Sequence, residues 1–316
     1  QLIQYAPSTE KVFKRPLLIV PPWINKFYIL DLQPKNSFIK WAVDQGHTVF
    51  VVSWVNPDER LAEKSFEDYM LEGPLAAMDA IRDATGEDSV NIIGYCIGGT
   101  LTASTLAYLA AQPEGAKYTA DRVVSATFFT TMTDFSEPGE LGVFIDEEQL
   151  NLLEDNTRMP AMMHGMYLRK MYLENRLVKP GGIALAGTPI DLKKIKTPVY
   201  MLSTSDDHIA PWKSTYAATQ LYAGPVRFVL SASGHIAGVI NPPAANKYCH
   251  WTNTKTPKDP DAWLNAATRH EGSWWPDWQK WIARKSGGQV AARLPGDGKL
   301  ATIEDAPGSY AAVRLG

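Results

Sequence analysis

Cysteine is scarce in this chain: two residues in 316, Cys96 and Cys249. Two thiols in that length do not make a disulfide scaffold, and a reducing, cytoplasmic compartment is the expected setting. CxxC, HExxH and clustered His/Cys spacings are all missing, so no zinc or other metal is expected. No apolar run approaches the roughly 18 to 20 residues of a membrane-spanning helix. There is no dense basic stripe, and a formal net charge of −3 argues against nucleic acid as a partner. The opening residues lack the ordered regions of a signal peptide and also lack a start methionine, which reads as a fragment or a processed form.

What remains is an ordinary globular composition, 45% hydrophobic and 21% charged, with enough apolar residues for a large core. Short continuous apolar runs occur at 17–20 (LLIV), 48–54 (TVFVVSW), 90–93, 123–131 (VVSATFFTT), 198–203 (PVYMLS) and 226–230 (VRFVL). Runs of this kind suit strands buried on both faces, as in parallel sheets. Helix-like segments at 66–84, 97–111 and 212–222 fall between them. The alternation predicts an α/β fold, a mostly parallel sheet with helices on both faces. The stretch from about Gly287 onward is rich in Gly, Pro and Ala and is expected to dock loosely.

One of the two cysteines lies in NIIGYCIGGTL. A strand candidate runs into Gly94-Tyr95-Cys96-Ile97-Gly98, and a good helix follows at once. This is the pattern of a nucleophile elbow, in which the reactive residue sits on a very tight strand-to-helix turn with small neighbours two positions away on either side. The helix N-terminus beside it favours negative charge on a thiol or an oxyanion. A phosphate loop is excluded, because no Lys follows the glycines and the GxGxxG spacing is absent.

An elbow needs an acid and a histidine later in the chain, each after a strand. After PVYMLS comes TSDDHIAPW, with Asp206, Asp207 and His208. After VRFVL comes SASGHIAGVINPP, with His235 on a glycine-flanked turn. The order nucleophile, acid, histidine is that of α/β hydrolases. On spacing alone either Asp206 or Asp207 could reach, and His208 reads as a neighbour of the acid. The oxyanion donors expected are the backbone N–H of Ile97 and that of Trp23 or Ile24, since Pro21 and Pro22 have none to give.

With these residues placed, the chain resembles the catalytic domain of polyhydroxyalkanoate synthases of the class I type. The resemblance is carried by PPWINKFYILDLQPKNS, QGHTVFVVSW, NIIGYCIGGT, STSDDHIAPW, SGHIAGVINPPAANK and EGSWWPDWQKW, which together span nearly the whole chain. It implies a single α/β-hydrolase domain over 1–316 and a triad on Cys96, Asp207 and His235. It implies polymerisation of (R)-3-hydroxyacyl-CoA, of short-chain type such as 3-hydroxybutyryl-CoA, with CoA as a released product and no separate cofactor. Homodimers and association with cytoplasmic polyester granules are implied as well, and the family's N-terminal domain is not part of this sequence. Family members carry a lid of several tens of residues where Glu154 here meets Asp155 directly. A lid region over about 135–180 with a segment missing at 154/155 is therefore expected. Arg158, Arg169 and Lys170 border it and are candidates to meet the CoA phosphates, although charges there are more often simply solvated. Trp274, Trp275, Trp278 and Trp281 are expected to dock a C-terminal helix on the core, and Cys249 to be structural.

The triad alone also fits a thiol hydrolase, such as a thioesterase or a dienelactone-hydrolase-like enzyme, and a non-catalytic granule scaffold is a further alternative. The cysteine itself favours acyl transfer. Taking an acyl group from CoA onto a thiol exchanges one thioester for another, and attack by an alcohol on that thioester then runs downhill.

Overall fold

The computed structural model describes residues 1–113, 115–140 and 160–312. Its strands are β1 (Leu2–Gln4), β2 (Lys11–Phe13), β3 (Leu17–Val20), β4 (Val49–Val52), β5 (Val90–Tyr95), β6 (Val123–Phe129), β7 (Ala184–Leu185), β8 (Thr188–Pro189), β9 (Val199–Thr204), β10 (Val226–Ser231), β11 (Cys249–Thr252), β12 (Thr268–Glu271) and β13 (Gln289–Ala291). Nine of them form one sheet in the order β1-β4-β3-β5-β6-β9-β10-β11-β12. The six from β4 to β10 are parallel, and β1, β11 and β12 add antiparallel edges.

All six parallel strands were legible in the sequence, because both of their faces are covered. Along β3, Leu18 and Val20 pack on one side of the sheet with the elbow helix Ile97–Ala110. Leu17 and Ile19 pack on the other side with Phe38 and the tryptophan helix Trp275–Ala283. The elbow helix is buried almost all round. Its hydroxyls are accommodated by bonding back one turn, Thr102 to the carbonyl of Gly98 and Thr105 to that of Leu101, both at 2.8 Å.

Two expectations change. The helix expected over 66–84 starts on a Ser65/Asp68 capping box and stops at Gly86, whose φ of 75° suits a C-terminal cap. Its middle, Leu71–Leu75, loosens into a π-helical turn around Pro74, which has no N–H to donate. The stretch after Gly287 is only partly loose. Its β13 pairs with β2, and Arg293 forms an ion pair with Glu87 at 2.7 Å, while most residues from 294 to 307 are exposed. Among the described residues no helix is long and apolar enough to cross a membrane.

The tryptophan helix anchors the whole rear face. Trp274, Trp275 and Trp278 are fully buried around Phe38. Asp277 on the same helix accepts from Arg227 on β10 and from the Tyr200 hydroxyl on β9. His47 is buried against Phe13 and Trp278, with one ring nitrogen on Gln279 and the other without a partner. Burial, partly offset by the Gln279 bond, lowers its pKa from 6.5 to about 4. The folded protein therefore keeps His47 neutral after the unfolded chain has begun to bind a proton. Its contribution is intact above pH 6.5 and is lost as pH falls towards 4, by up to about 3 kcal/mol. Chemical denaturation of the His47→Gln variant across that window is expected to show a shallower acid loss of stability than the parent chain. Parallel slopes would contradict it.

Candidate active site

Three turns at the carboxyl end of the parallel strands meet at one place. The first is a single residue long. β5 ends at Tyr95, the elbow helix begins at Ile97, and Cys96 between them has φ 53° and ψ −124°. A residue with a side chain held there costs on the order of 1–3 kcal/mol. The turn is pinned from both sides. Cys96 N–H donates to the Phe129 carbonyl at 2.9 Å, and the Cys96 carbonyl accepts from Gly99 and Thr100. The motif glycines are there for space. A Cβ on Gly94 would lie 2.4 Å from the Gly99 Cα, and one on Gly98 would lie 2.3 Å from the Val20 carbonyl oxygen.

Ile97 is the first helical residue, so its N–H has no acceptor within the helix. The loop after β3 runs alongside: the Pro21 carbonyl is the next group that a Gly98 side chain would strike, and it accepts from the Trp54 indole at 2.8 Å. Trp23 is buried on this loop and Ile24 is exposed. Neither backbone N–H donates to a backbone acceptor among the described residues.

The second turn follows β9 and separates the acid pair. Asp206 is exposed, as is His208, whereas Asp207 is buried. One Asp207 oxygen accepts from the N–H groups of Ile209 and Ala210 at 2.9 and 2.8 Å. The other accepts from the Thr204 hydroxyl at 3.2 Å and faces His235 Nδ1 at 2.7 Å. The sequence could not separate Asp206 from Asp207 by spacing. The backbone does so by turning one side chain in and the other out.

The third turn follows β10 and carries His235. It is braced from the rear face, where the Trp274 indole donates to the Gly238 carbonyl and the Trp275 indole to the Val239 carbonyl, both at 2.9 Å. Burial alone would lower the His235 pKa. The Asp207 hydrogen bond, then the hydrogen bond and charge of the Cys96 sulfur, outweigh it and raise the pKa from 6.5 to about 10. The imidazole thus lies between a buried carboxylate and the thiol, and both favour its protonated form.

Aromatic groups stand around this centre. Tyr167 and Tyr172 stand in contact with each other and with Phe135, at centroid distances of 4.8 to 6.0 Å. Burial first, and the nearby Cys96 charge among the lesser causes, raise both phenols above their ordinary range. In the sequence the aromatic-rich segment from Met159 to Tyr172 reads for the most part as core packing, with the wall of a dry pocket at the thiol as the alternative. Tyr167 is indeed buried, but it also neighbours the thiol, and the only signal was an aromatic-rich segment next to the expected lid. Arg169 and Lys170 are half-buried on the π-helical turn Leu168–Leu173, which also carries Tyr172. Arg158 and the break at 154/155 lie outside the described residues. Cys249 is a buried free thiol on β11.

If Asp207 sustains the His235 proton, Asp207→Asn is expected to lower the imidazole titration midpoint clearly below that of the parent chain. Histidine C–H resonances followed by NMR against pH would show this, and an unmoved midpoint would rule it out.

A family model described as the N-terminus of poly-beta-hydroxybutyrate polymerase matches residues 1–42. A poly(3-hydroxyalkanoate) polymerase subunit from Rhizobium meliloti is 48% identical over 99% of this chain and 58% of its own length. One from Cupriavidus necator is 41% identical over 98% of the chain and 61% of its length. A poly(3-hydroxyalkanoate) polymerase from Methylorubrum extorquens is 45% identical over 99% and 59%. The chain thus spans less than two thirds of these relatives. The first alignment also extends over 365 positions against 316 residues, so positions inside the aligned span have no counterpart here. Among solved structures, a protein from Agrobacterium vitis S4 named for the hydrolases superposes with a TM-score of 0.51 at 15% identity, covering 84% of this chain and 90% of that one, which supports the α/β-hydrolase fold. From end to end, then, the chain is similar to poly(3-hydroxyalkanoate) polymerases, at 41–48% identity over 58–61% of their own length.

Proposed function

We propose that this chain polymerises (R)-3-hydroxyacyl-CoA, with 3-hydroxybutyryl-CoA as the short-chain case, into polyhydroxyalkanoate through a thioester on Cys96. The observation that carries the reading is the continuous line from buried Asp207 through His235 to a cysteine on a strained strand-to-helix turn. In the first half-reaction the Cys96 sulfur attacks the CoA thioester carbonyl. The C–S bond to CoA breaks, the proton held on His235 leaves with the CoA sulfur, and the acyl group stays on Cys96. The oxyanion formed on the way would be met by the N–H of Ile97 and one from Trp23 or Ile24.

In the second half-reaction a hydroxyl attacks the Cys96 thioester, His235 takes the hydroxyl proton, and an oxoester forms as the sulfur leaves. Asp207 is assigned to orienting His235. Its carboxylate has no exposed surface, and both oxygens are already occupied by four donors, leaving no position for a substrate hydroxyl.

The aromatic cover of Phe135, Tyr167 and Tyr172 belongs to the lid region assigned to about 135–180, and we place the residues missing relative to the family at Glu154–Asp155. Arg169 and Lys170, on the turn that carries Tyr172, are the described candidates for the CoA phosphates. CoA is then substrate and product, with no further cofactor. A homodimer working at the surface of cytoplasmic polyester granules is the assembly proposed.

The test is the product made from 3-hydroxybutyryl-CoA. Insoluble polyester with stoichiometric CoA release is expected, and Cys96→Ala is expected to reduce CoA release by about a thousandfold or more. Soluble 3-hydroxybutyrate would identify a thioesterase instead. Undiminished release by Cys96→Ala would refute the thioester.

A further inference from the structure

Tyr95 is the last residue of β5 and directly precedes Cys96; it is almost fully buried. Its hydroxyl donates to the backbone carbonyl of His235 at 3.3 Å. Its ring also stacks on the His235 imidazole, with centroids 5.6 Å apart and 26° between the planes. One side chain therefore holds both the main chain and the ring of the histidine, while its own main chain is bonded to the cysteine.

The need for such a contact follows from the geometry of the imidazole. The Asp207 bond fixes Nδ1 but leaves the ring free to rock about that point, and rocking would swing Nε2 away from the sulfur. A flat aromatic surface against the ring blocks that motion. Misplacement of a catalytic group by about 1 Å can cost on the order of a hundredfold in rate. The surrounding turn is tied by other bonds. The Ser233 carbonyl accepts from Asp206 N–H, that of Gly234 from Gly238, and that of Ile236 from Ile240. The His235 carbonyl has no backbone donor among the described residues, and the Tyr95 hydroxyl is what satisfies it. Burial, then the charges of Cys96 and Asp207, hold the phenol well above its ordinary pKa, so it remains a donor at working pH. An aromatic face beside an imidazole also favours the charged ring over the neutral one.

We propose that Tyr95 is the positioning residue of this site, clamping the imidazole of His235 in the plane that joins Asp207 to Cys96. The proposal rests on the reading of Cys96, His235 and Asp207 as the catalytic triad. It adds that the residue before the nucleophile sets the alignment of the base, so that the elbow and the histidine turn move as one unit.

The experiment compares Tyr95→Phe and Tyr95→Leu with the parent chain in CoA release from 3-hydroxybutyryl-CoA, with Cys96→Ala and His235→Gln as references. Tyr95→Phe keeps the stack and loses one long hydrogen bond, so kcat is expected to fall about threefold to tenfold with KM unchanged. Tyr95→Leu loses the stack as well; kcat is expected to fall about a hundredfold, with the pH profile displaced to lower pH. Both references are expected to be inactive. Parent-like kcat and pH profile in both Tyr95 variants, with inactive references, would overturn the positioning role and leave the triad standing. An active Cys96→Ala or His235→Gln would overturn the triad and this role together. Should Tyr95→Leu fail to fold, as judged by circular dichroism, Tyr95→Phe decides alone: a selective kcat loss supports the role and parent-like kinetics refutes it.

Discussion

The backbone of Cys96 is the constraint on which the rest of the site depends. Nothing local favours a positive φ for a residue with a side chain, and the penalty is on the order of 1–3 kcal/mol. The surroundings impose it. β5 is paired in parallel on both sides, to β3 and β6, so its direction is fixed up to Tyr95. The elbow helix buries Ile97, Leu101, Leu106 and Leu109 beneath the same sheet, and each such side chain contributes about 1.5–3 kcal/mol. Strand and helix together outweigh the strain several times over, and one residue is left to make the turn. Because the helix starts without a spacer, it passes so close to the end of β3 that position 98 has no room for a Cβ.

Given that turn, the two later turns divide a single task. Asp207 is static: its four bonds are all within the protein, three of them within its own turn. His235, which the proposed mechanism asks to gain and lose a proton, is held from outside its own turn. Trp274 and Trp275 brace its loop from the far side of the sheet, and their helix is in turn locked to β9 and β10 through Asp277, Tyr200 and Arg227. The buried tryptophans are therefore more than packing. They connect the rear core to the loop that carries His235.

The parts that could be read in the sequence were those governed by short range. The parallel strands announced themselves as continuous apolar runs, and the elbow by glycines on either side of one cysteine. β12 was invisible, because Thr268, Arg269, His270 and Glu271 are exposed and polar, and only pairing with β11 makes them a strand. The π-helical turn at Leu71–Leu75 was hidden inside a good helical pattern, although Pro74 marks where the ladder loses a donor. Asp206 and Asp207 were indistinguishable as letters, since a one-residue difference in which side chain turns inward is decided by the Thr204 hydroxyl and two backbone N–H groups. Tyr95 carried no signal of its own, and Tyr167 only that of the aromatic-rich segment it lies in. An aromatic residue reads as core, and both are core, yet Tyr95 also stacks on His235 and Tyr167 also feels the Cys96 charge.

That double duty bears on how the proposed acyl-enzyme would choose its acceptor. A cysteine thioester reacts downhill with an alcohol and with water alike, and His235 would activate either nucleophile in the same way. Nothing in the three turns distinguishes a polymerase from a hydrolase, because both need the same strained nucleophile, buried acid and aligned base. Discrimination must come from what can reach the sulfur. Tyr167 and Tyr172 lie near enough to feel the Cys96 charge, Phe135 packs against both, and Tyr167 is joined to the main core through Phe66. An aromatic cover of that kind excludes a small polar nucleophile that has no apolar surface to bury, while a hydroxyl carried on an acyl chain brings apolar surface with it. On the proposed mechanism the chemistry of the thiol would set the direction of transfer, and the aromatic cover would decide whether the acyl group passes to a chain or to solvent.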